Sequence, residues 1–447
     1  MKKLLFILTF FSIIALKAQP PVLESYISMG LESNLALKQQ NLELQKSLKS
    51  IEIAKANFLP KISFAPTYSL AAGGRKLDFP IGDLLNPVYS TLNQLTKSTK
   101  FPQVENVNVQ LAPNNFHDTK VSIQYPIFNT DIKYNLLIQK ELLQTEEAKK
   151  KVLVFELRHN ITTAYYQYLQ IIEGIKIIEQ SQQILQQFIK FNQKLVNNQV
   201  ATKDVVLSAE YELSKLNQQL VVMEKNRESA KAYFNFLLNR DLNTAIQVDD
   251  AFAKQIPSFE SLENYKESSL LNRPEFGQLQ SGIMVSQSAI KMQEQNAKLP
   301  SVFVGANTGF QGFGYTFKNQ AYIVGQVGLQ WDLYHGNEKK HKIEQAKIQK
   351  TILETKIDEA KQQVQLQVTQ AYYDALAANE SLTTAQSGTQ KTSVLLQHID
   401  SRYRNGNALY IEYLKAQNDD LVARLTESLA KYDIWVKKSV LDKVSGR

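Results

Sequence analysis

Five histidines are the residues of this sequence best suited to bind a metal ion or to transfer a proton. They are His117, His159, His335, His341 and His398. None belongs to a His-Glu-x-x-His motif. His335 and His341 are six residues apart, so they do not share one helical face, as ligands three or four residues apart would. We therefore predict surface or loop histidines and no metal site.

Other chemistry-bearing patterns are also missing. The glycines at 309, 312 and 314 fit neither the phosphate-binding nor the dinucleotide-binding spacing. No Gly-x-Ser-x-Gly nucleophile motif occurs. Cysteine is absent, which excludes thiol catalysis, iron–sulfur clusters, cysteine-ligated zinc, disulfides and a lipidated N-terminal cysteine. The sequence predicts neither an enzyme nor a cofactor.

The overall charge gives no sign of a nucleic-acid partner. The chain has 447 residues and a formal net charge of +8. That excess is mild, and no basic cluster is interleaved with aromatic residues. The composition is 21% charged and 43% hydrophobic, which is typical of a folded chain rather than a disordered one.

The N-terminus predicts export. Lys2 and Lys3 precede an apolar run from Leu4 to Ile14, and Ala18 precedes Gln19. This arrangement is typical of a secretory signal peptide covering residues 1–18. No later stretch has 18 consecutive apolar residues, so we expect no transmembrane helix. The remaining classes are periplasmic, secreted and outer-membrane β-barrel proteins.

Two long tracts have helical periodicity and almost no helix breakers. Asn129–Arg240 contains one glycine and no proline, and Gly336–Asn405 has one glycine after its first residue. Apolar residues repeat at alternating steps of four and three, as in coiled coils. The first series is Ile161, Tyr165, Tyr168, Ile172 and Ile175, and the second is Val364, Val368, Ala371, Ala375, Ala378 and Leu382. Helices of about 65–70 residues would span roughly 100 Å.

Four shorter segments alternate apolar and polar residues and predict β-strands. They cover about 61–72, 117–128, 300–312 and 320–333, and we expect two hairpins. In the second of them Val121, Ile123 and Tyr125 alternate with Ser122 and Gln124. One face of each hairpin is therefore apolar and the other polar.

The pattern is duplicated. Val121–Tyr125 is repeated at Val327–Trp331, and Ala164–Tyr166 at Ala371–Tyr373, with offsets of 206 and 207 residues. A nearly constant offset predicts two copies of a helix–hairpin–long helix–turn–helix unit. We assign residues 19–250 and 272–447 to the two repeats and 251–271 to a connecting equatorial segment. The first hairpin carries an insert, Gly74–Asn115, with a short helix near 83–95.

The one-sided hairpins have two interpretations. One is a small β domain capping a helical bundle, in a periplasmic coiled-coil scaffold or adaptor without a pore. The other is part of a transmembrane barrel, with aromatic side chains in the interfacial girdle. The girdle candidates are Tyr68, Tyr125, Tyr322 and Trp331. Four strands are too few to close a barrel, so two, three or four chains would have to share one of 8, 12 or 16 strands.

The order of these features resembles the TolC-like outer-membrane efflux protein family. The match is carried by the duplication, the Leu-Pro helix ends, the strand exits Tyr125–Phe128 and Trp331–Tyr334, and the paired Ala-Tyr-Tyr segments. The resemblance implies an α+β membrane protein that forms a homotrimer. A 12-stranded β-barrel in the outer membrane of a Gram-negative bacterium would continue into an α-helical barrel in the periplasm. It also implies a passive, non-enzymatic exit duct for small molecules or exported polypeptide, surrounded by outer-membrane lipid. The implied partners are a periplasmic adaptor (membrane fusion) protein and an inner-membrane pump of a tripartite efflux or type I secretion system.

The same resemblance places a gate at the periplasmic helical tip. Its candidate residues are Asp204, Tyr403, Gly406, Glu412 and Lys415. Tyr403 matches a tyrosine of the family's latch, Asp204 the acid that it binds, Gly406 the turn glycine and Glu412 an aperture acid. Lys415 replaces a second aperture acid, and Ala408 replaces the family's latch arginine. The alternative for Asp204 and Glu412 is a first-turn acid that the helix dipole favours.

Overall fold

The computed structural model describes residues 22–249 and 256–447. The predicted signal peptide, 1–18, lies outside the described residues, as do residues 251–255 of the predicted connecting segment. The chain divides into two compact units. The first, here the helical unit, comprises the described part of Met1–Leu48, Glu141–Met284 and Lys350–Arg447. The second, the sheet unit, comprises Lys49–Lys140 and Val285–Gln349.

Two very long helices dominate the chain, as the absence of internal helix breakers predicts. The helices are α1 (Val22–Ser33), α2 (Leu35–Ala56), α3 (Ile81–Leu95), α4 (Thr130–Asn197), α5 (Lys203–Leu237), α6 (Leu262–Asn272), α7 (Pro274–Lys298), α8 (Glu338–Arg404) and α9 (Tyr410–Ser445). Helix α4 has 68 residues and α8 has 67. The predicted length of about 65–70 residues is thus confirmed.

The apolar series that predicts the long helices also forms their cores. In α4, Ile161 and Tyr165 are buried against Phe234 of α5 in one cluster. In α8, Val368 and Ala375 are buried against Leu441 of α9 in another. A residue at every third or fourth position keeps one helical stripe on its neighbours, so the coiled-coil spacing correctly predicts the buried faces.

Each long helix ends in a turn that needs a left-handed residue. Helix α4 ends before Gln199, whose φ is 58°, and α8 before Gly406, whose φ is 76°. The Gly406 N–H donates to the Tyr403 carbonyl (3.0 Å), and the Asn407 N–H donates to that of Arg402 (2.8 Å). These bonds satisfy two of the last carbonyls of α8, as in other glycine-terminated helices. Both turns lie between a long helix and the helix that follows it, as the duplicated unit predicts.

The main sheet contains four antiparallel strands in the order β1-β4-β5-β6. Their bounds are β1 Lys61–Ser69, β4 Phe116–Phe128, β5 Ser301–Phe313 and β6 Ala321–Gln330. Each predicted hairpin forms, and β4 pairs with β5 to join them. Strands β1 and β6 have one neighbour each among the described residues, so they are the two edges of the sheet.

The insert of the first hairpin is an ordered element. It contains the predicted helix, which is α3, between β2 (Lys76–Phe79) and β3 (Val107–Gln110). These two strands pair with each other in a separate small sheet. The sequence does not predict them, because a strand of four residues is too short to show a period of two.

Candidate gate and two-faced sheet

A buried asparagine lies at the centre of the tip of the helical unit. Asn192, near the end of α4, is fully buried. Its side-chain Nδ2 donates to the Phe188 carbonyl (2.8 Å), and its Oδ1 accepts a hydrogen bond from the Tyr403 hydroxyl of α8. Both the nitrogen and the oxygen of the Asn192 side-chain amide thus have a hydrogen-bond partner, as a buried amide requires.

Aromatic rings surround this bond and connect three helices. The rings of Phe188 and Tyr413 stack with 4.1 Å between centroids and an interplanar angle of 5°. Tyr403 lies 5.2 Å from Phe188 and 5.8 Å from Tyr413. Burial raises the pKa of Tyr413 to about 12. Burial also raises the pKa of Tyr403, against the opposing effect of its bond to Asn192.

An arginine adds a second contact between α4 and α8. The guanidinium of Arg404 lies over the ring of Phe191, 5.3 Å from its centroid, and donates from Nε to Asp400 (2.8 Å). The carboxylate of Asp400 raises the pKa of Arg404. The sequence does not point to Arg404, because the resemblance places the missing latch arginine at Ala408. We call Phe188, Phe191, Asn192, Tyr403, Arg404 and Tyr413 the tip cluster.

The predicted bond between Tyr403 and Asp204 is wrong within this chain. The Tyr403 hydroxyl donates to Asn192 instead. Asp204 is exposed in the first turn of α5, where the Thr202 hydroxyl and its own backbone N–H hold the pKa of its carboxyl below the usual value. Asp204 follows the turn after α4, whereas Tyr403 precedes the equivalent turn after α8. Tyr403 is directed inward and Asp204 outward.

The remaining gate candidates lie around the turn between α8 and α9. Gly406 forms the turn described above. The carboxylate of Glu412 accepts a hydrogen bond from the backbone N–H of Leu409 (3.3 Å), which caps the start of α9. Glu412 and Lys415 are both exposed. Their side chains are therefore available to contacts outside this chain, and their role at an aperture stays a prediction.

The sheet has one apolar and one polar face, as its period-two pattern predicts. Paired residues of antiparallel strands share a face. Ile62, Ile123 and Ala306 therefore lie together on the apolar face, and Ser63, Ser122 and Asn307 on the other. Two girdle candidates, Tyr68 and Tyr125, lie on the apolar face and are exposed, while Trp331 follows the last residue of β6 and is also exposed. Their contact with lipid stays a prediction.

Tyr322, the fourth girdle candidate, lies on the other face. Its neighbour in the strand, Ile323, pairs with Thr308 on the apolar face, so Tyr322 lies on the polar face with Gly309. There its hydroxyl donates to Oδ1 of Asp118 (2.9 Å), and Lys120 Nζ lies 2.6 Å from Oδ2 of the same carboxylate. The girdle prediction for Tyr322 is wrong because adjacent residues of a strand point to opposite faces. We call Asp118, Lys120 and Tyr322 the polar-face cluster.

The histidines do not form a metal centre among the described residues. No group of three or more histidine, aspartate or glutamate side chains there is arranged to hold a metal ion. The prediction of surface or loop positions is wrong for His117, which is fully buried in β4, and for His159, which is half-buried in α4. In the described ranges, no helix combines the length and the apolar character needed to cross a membrane.

Comparison with known proteins confirms the resemblance. Residues 266–447 match the family described as outer membrane efflux protein. No curated protein matches the chain. Three solved structures illustrate the likeness of fold, and each is matched by 95% of this chain. The first is the CmeC outer membrane channel of Campylobacter jejuni, at 15% identity over 85% of that chain, with a TM-score of 0.73. The second is the outer membrane protein VceC of Vibrio cholerae, at 13% identity over 96% of that chain, with a TM-score of 0.72. The third is the open-state MtrE outer membrane channel of Neisseria gonorrhoeae, at 14% identity over 89% of that chain, with a TM-score of 0.74. The predicted α+β fold, with long helices and antiparallel strands, is confirmed.

Proposed function

We propose that this protein is the outer-membrane exit duct of a tripartite efflux or type I secretion system. Three chains assemble into one channel that conducts small molecules or exported polypeptide passively from the periplasm to the exterior. The observation that carries the proposal is the two-faced sheet with two open edges. It is supported by the match of residues 266–447 to the outer membrane efflux protein family.

The faces of the sheet suit a barrel wall. Large apolar side chains such as Ile62, Phe64 and Ile323 remain exposed on one face. Leaving them in water would cost roughly 25 cal/mol for each square ångström of apolar surface, whereas lipid removes that cost. The opposite face carries Ser63, Lys120 and other polar residues, which suit a water-filled lumen.

The two unpaired edges of the sheet require strands from further copies of the chain. In lipid, each unpaired backbone group costs several kcal/mol, so a spanning sheet must close on itself. Pairing β1 of one chain with β6 of the next gives every strand of the main sheet two neighbours. The resemblance selects three of the possible copy numbers, which gives a barrel of 12 strands.

The helical units extend into the periplasm and meet the adaptor and the inner-membrane pump. The tip cluster, together with Gly406, Glu412 and Lys415, forms the gate at that end. Asp204 remains a candidate only for contacts with a neighbouring chain, because its side chain is exposed and, within this chain, is hydrogen-bonded to Thr202. The duct itself carries out no reaction, and the pump supplies the energy.

The decisive experiment combines membrane fractionation, gel mobility and conductance. We expect the protein in the outer-membrane fraction, with a trimer band on unheated gels that converts to a monomer band on heating. The purified trimer should form ion-conducting pores in planar bilayers. A chain found only in the soluble periplasm, without conductance, would overturn the duct and favour the scaffold or adaptor without a pore.

A further inference from the structure

The helix of the insert has its polar side turned toward its own chain. In α3, Asn86 and Asn93 lie on one side and bind the backbone of the segment that follows the helix. Asn86 accepts from the Val104 N–H (2.8 Å) and donates to its carbonyl (3.0 Å), and Asn93 forms the same pair with Phe101 (3.1 and 2.7 Å). These two asparagines fix the orientation of the helix about its axis.

The same side of α3 makes two more polar contacts with this segment. Ser90 accepts a hydrogen bond from Gln103 (3.1 Å), and Asp83 accepts one from Asn106 (3.0 Å). Positions 83, 86, 90 and 93 repeat at steps of three and four, so they form a single stripe. A surface helix normally turns such a stripe toward water.

The apolar stripe of α3 faces outward instead. Leu84, Val88 and Leu95 are 69%, 51% and 76% exposed. Their steps of four and seven place them on one side of the helix, opposite the asparagines. A helix whose polar side is paired and whose apolar side is exposed is the reverse of a solvated surface helix. Large exposed apolar side chains on one side of a helix mark a docking surface.

Charge distinguishes between a lipid surface and a protein as the covering partner. Helices that lie on membranes carry lysine and arginine for anionic headgroups. The only charged residue in α3 is Asp83. An acidic helix without a basic residue is poorly suited to an anionic outer leaflet, so the charge pattern favours a protein surface.

The position of the insert favours another copy of the same chain as that protein surface. The insert leaves the sheet directly after β1, one of the two open edges, and Asn114 accepts a hydrogen bond from the Ala71 N–H (3.1 Å) at its base. In the proposed trimer this edge is the seam with the next chain. Rotational symmetry then places three identical apolar stripes around one axis, with no like charges on the stripes to repel one another.

We propose that the apolar stripes of α3 from three chains pack together and form a helical cap over the outer end of the channel. The insert joins the end of β1 to the start of β4, whereas α2 and α4 adjoin the opposite ends of these strands. The proposal rests on the trimer proposed above. It adds a contact between copies that is made by the insert, separate from the pairing of the sheet edges. Leu84, Val88 and Leu95 are the residues that make this contact.

The absence of cysteine from the chain makes a clean cross-linking test possible. The test variant is Val88→Cys in the purified full-length protein, oxidised with copper phenanthroline. The matched control is Ser90→Cys, two residues away on the opposite side of the helix. Trimer formation is measured separately, by the change in gel mobility on heating. Val88 and Ser90 both lie outside the main sheet, so neither substitution should prevent the trimer from forming.

We expect Val88→Cys to form a disulfide-linked dimer within the trimer and Ser90→Cys to remain monomeric on denaturing gels. Three equivalent thiols form one disulfide and leave one chain unlinked, so no covalent trimer should appear. The dimer yield should not change on dilution, which excludes collisions between separate trimers. Oxidised Val88→Cys should also conduct less than its reduced form in planar bilayers.

Other results would overturn the proposal in distinguishable ways. A normal trimer without the Val88→Cys dimer, or with equal cross-linking of Ser90→Cys, overturns the cap and leaves the duct intact. Quenching of a fluorophore on Val88→Cys by spin-labelled lipid identifies the membrane as the covering surface and overturns the cap. Failure to form any trimer overturns both the cap and the proposed duct.

Discussion

The hydroxyl of Tyr403 donates a hydrogen bond to the fully buried side chain of Asn192, and this bond joins α8 to α4 across 211 residues of sequence. It is the polar centre of the aromatic tip cluster. Asn192 continues the buried series of α4 after Leu185 and Phe188, so its amide has no access to water. The tyrosine is therefore the group that satisfies the asparagine oxygen.

Replacing Tyr403 with phenylalanine should weaken the tip. The change leaves Oδ1 of Asn192 buried without a donor, which costs about 1–3 kcal/mol per chain. We expect a lower unfolding temperature and, if the tip cluster closes the gate, a higher single-channel conductance. The double variant Tyr403→Phe with Asn192→Leu removes both polar partners, so it should recover most of the lost stability.

Asp204→Ala is the control for the Tyr403 variants. Asp204 is exposed and contacts Thr202 rather than Tyr403. We expect no change in single-channel conductance from this substitution. If Asp204→Ala raises the conductance as much as Tyr403→Phe does, Asp204 holds the gate closed by contacting a neighbouring chain. The contacts within one chain would then not form the gate.

Alkaline pH should loosen the tip cluster. The pKa of Tyr413 is raised to about 12 in the folded chain by burial, above the ordinary value of 10.0. Between these values the unfolded chain loses a proton that the folded chain retains, so stability is present below pH 10 and falls as pH rises toward 12. Thermal unfolding measured by circular dichroism should show this loss. Tyr413→Phe should reduce the dependence of the unfolding temperature on alkaline pH. If the variant keeps the same pH dependence, the loss of stability does not come from Tyr413.

Mild acid should weaken the helical unit around His159. Burial, with a smaller effect of Lys443, lowers the pKa of this histidine, whose Nδ1 lies 2.9 Å from the Ser439 hydroxyl. Below the ordinary value of 6.5 the unfolded chain binds a proton that the folded chain does not, so stability falls as pH decreases through that value. His159→Gln should reduce the difference in unfolding temperature between pH 7.5 and pH 5.5. An equal difference in both proteins would assign the acid sensitivity to other groups.

The polar-face cluster should influence ion selectivity. In the proposed barrel, Asp118 lies on the lumen wall beside Lys120 and Tyr322. Asp118→Asn removes one negative charge per chain and leaves the lysine uncompensated, so anions should be favoured more. The reversal potential in a salt gradient measures this shift. Tyr322→Phe, which changes no charge, is the matched control and should leave the potential unchanged.

The sequence predicts the elements better than it predicts their contacts. The series through Ile161 and Val368 predicts the buried stripes because a helix has a fixed period. The partners of Tyr403 depend on how two helices rotate against each other, and spacing along one helix does not contain that information. Asn192 was nevertheless detectable as a polar residue within an apolar series. The polar-face position of Tyr322 is also predictable from the sequence, since Tyr322 is adjacent to Ile323 and adjacent residues of a strand point to opposite faces.

The open edges of the main sheet also have a consequence for how the chain folds. A single chain leaves the outer backbone groups of β1 and β6 unpaired within the described residues. Exposed edges of this kind readily pair with the wrong partner. If the barrel closes only when copies meet, its formation depends on protomer concentration, and its stability has no value for an isolated chain. Each newly exported chain would then be most vulnerable to aggregation and proteolysis during its search for partners, so assembly would limit the yield of channels.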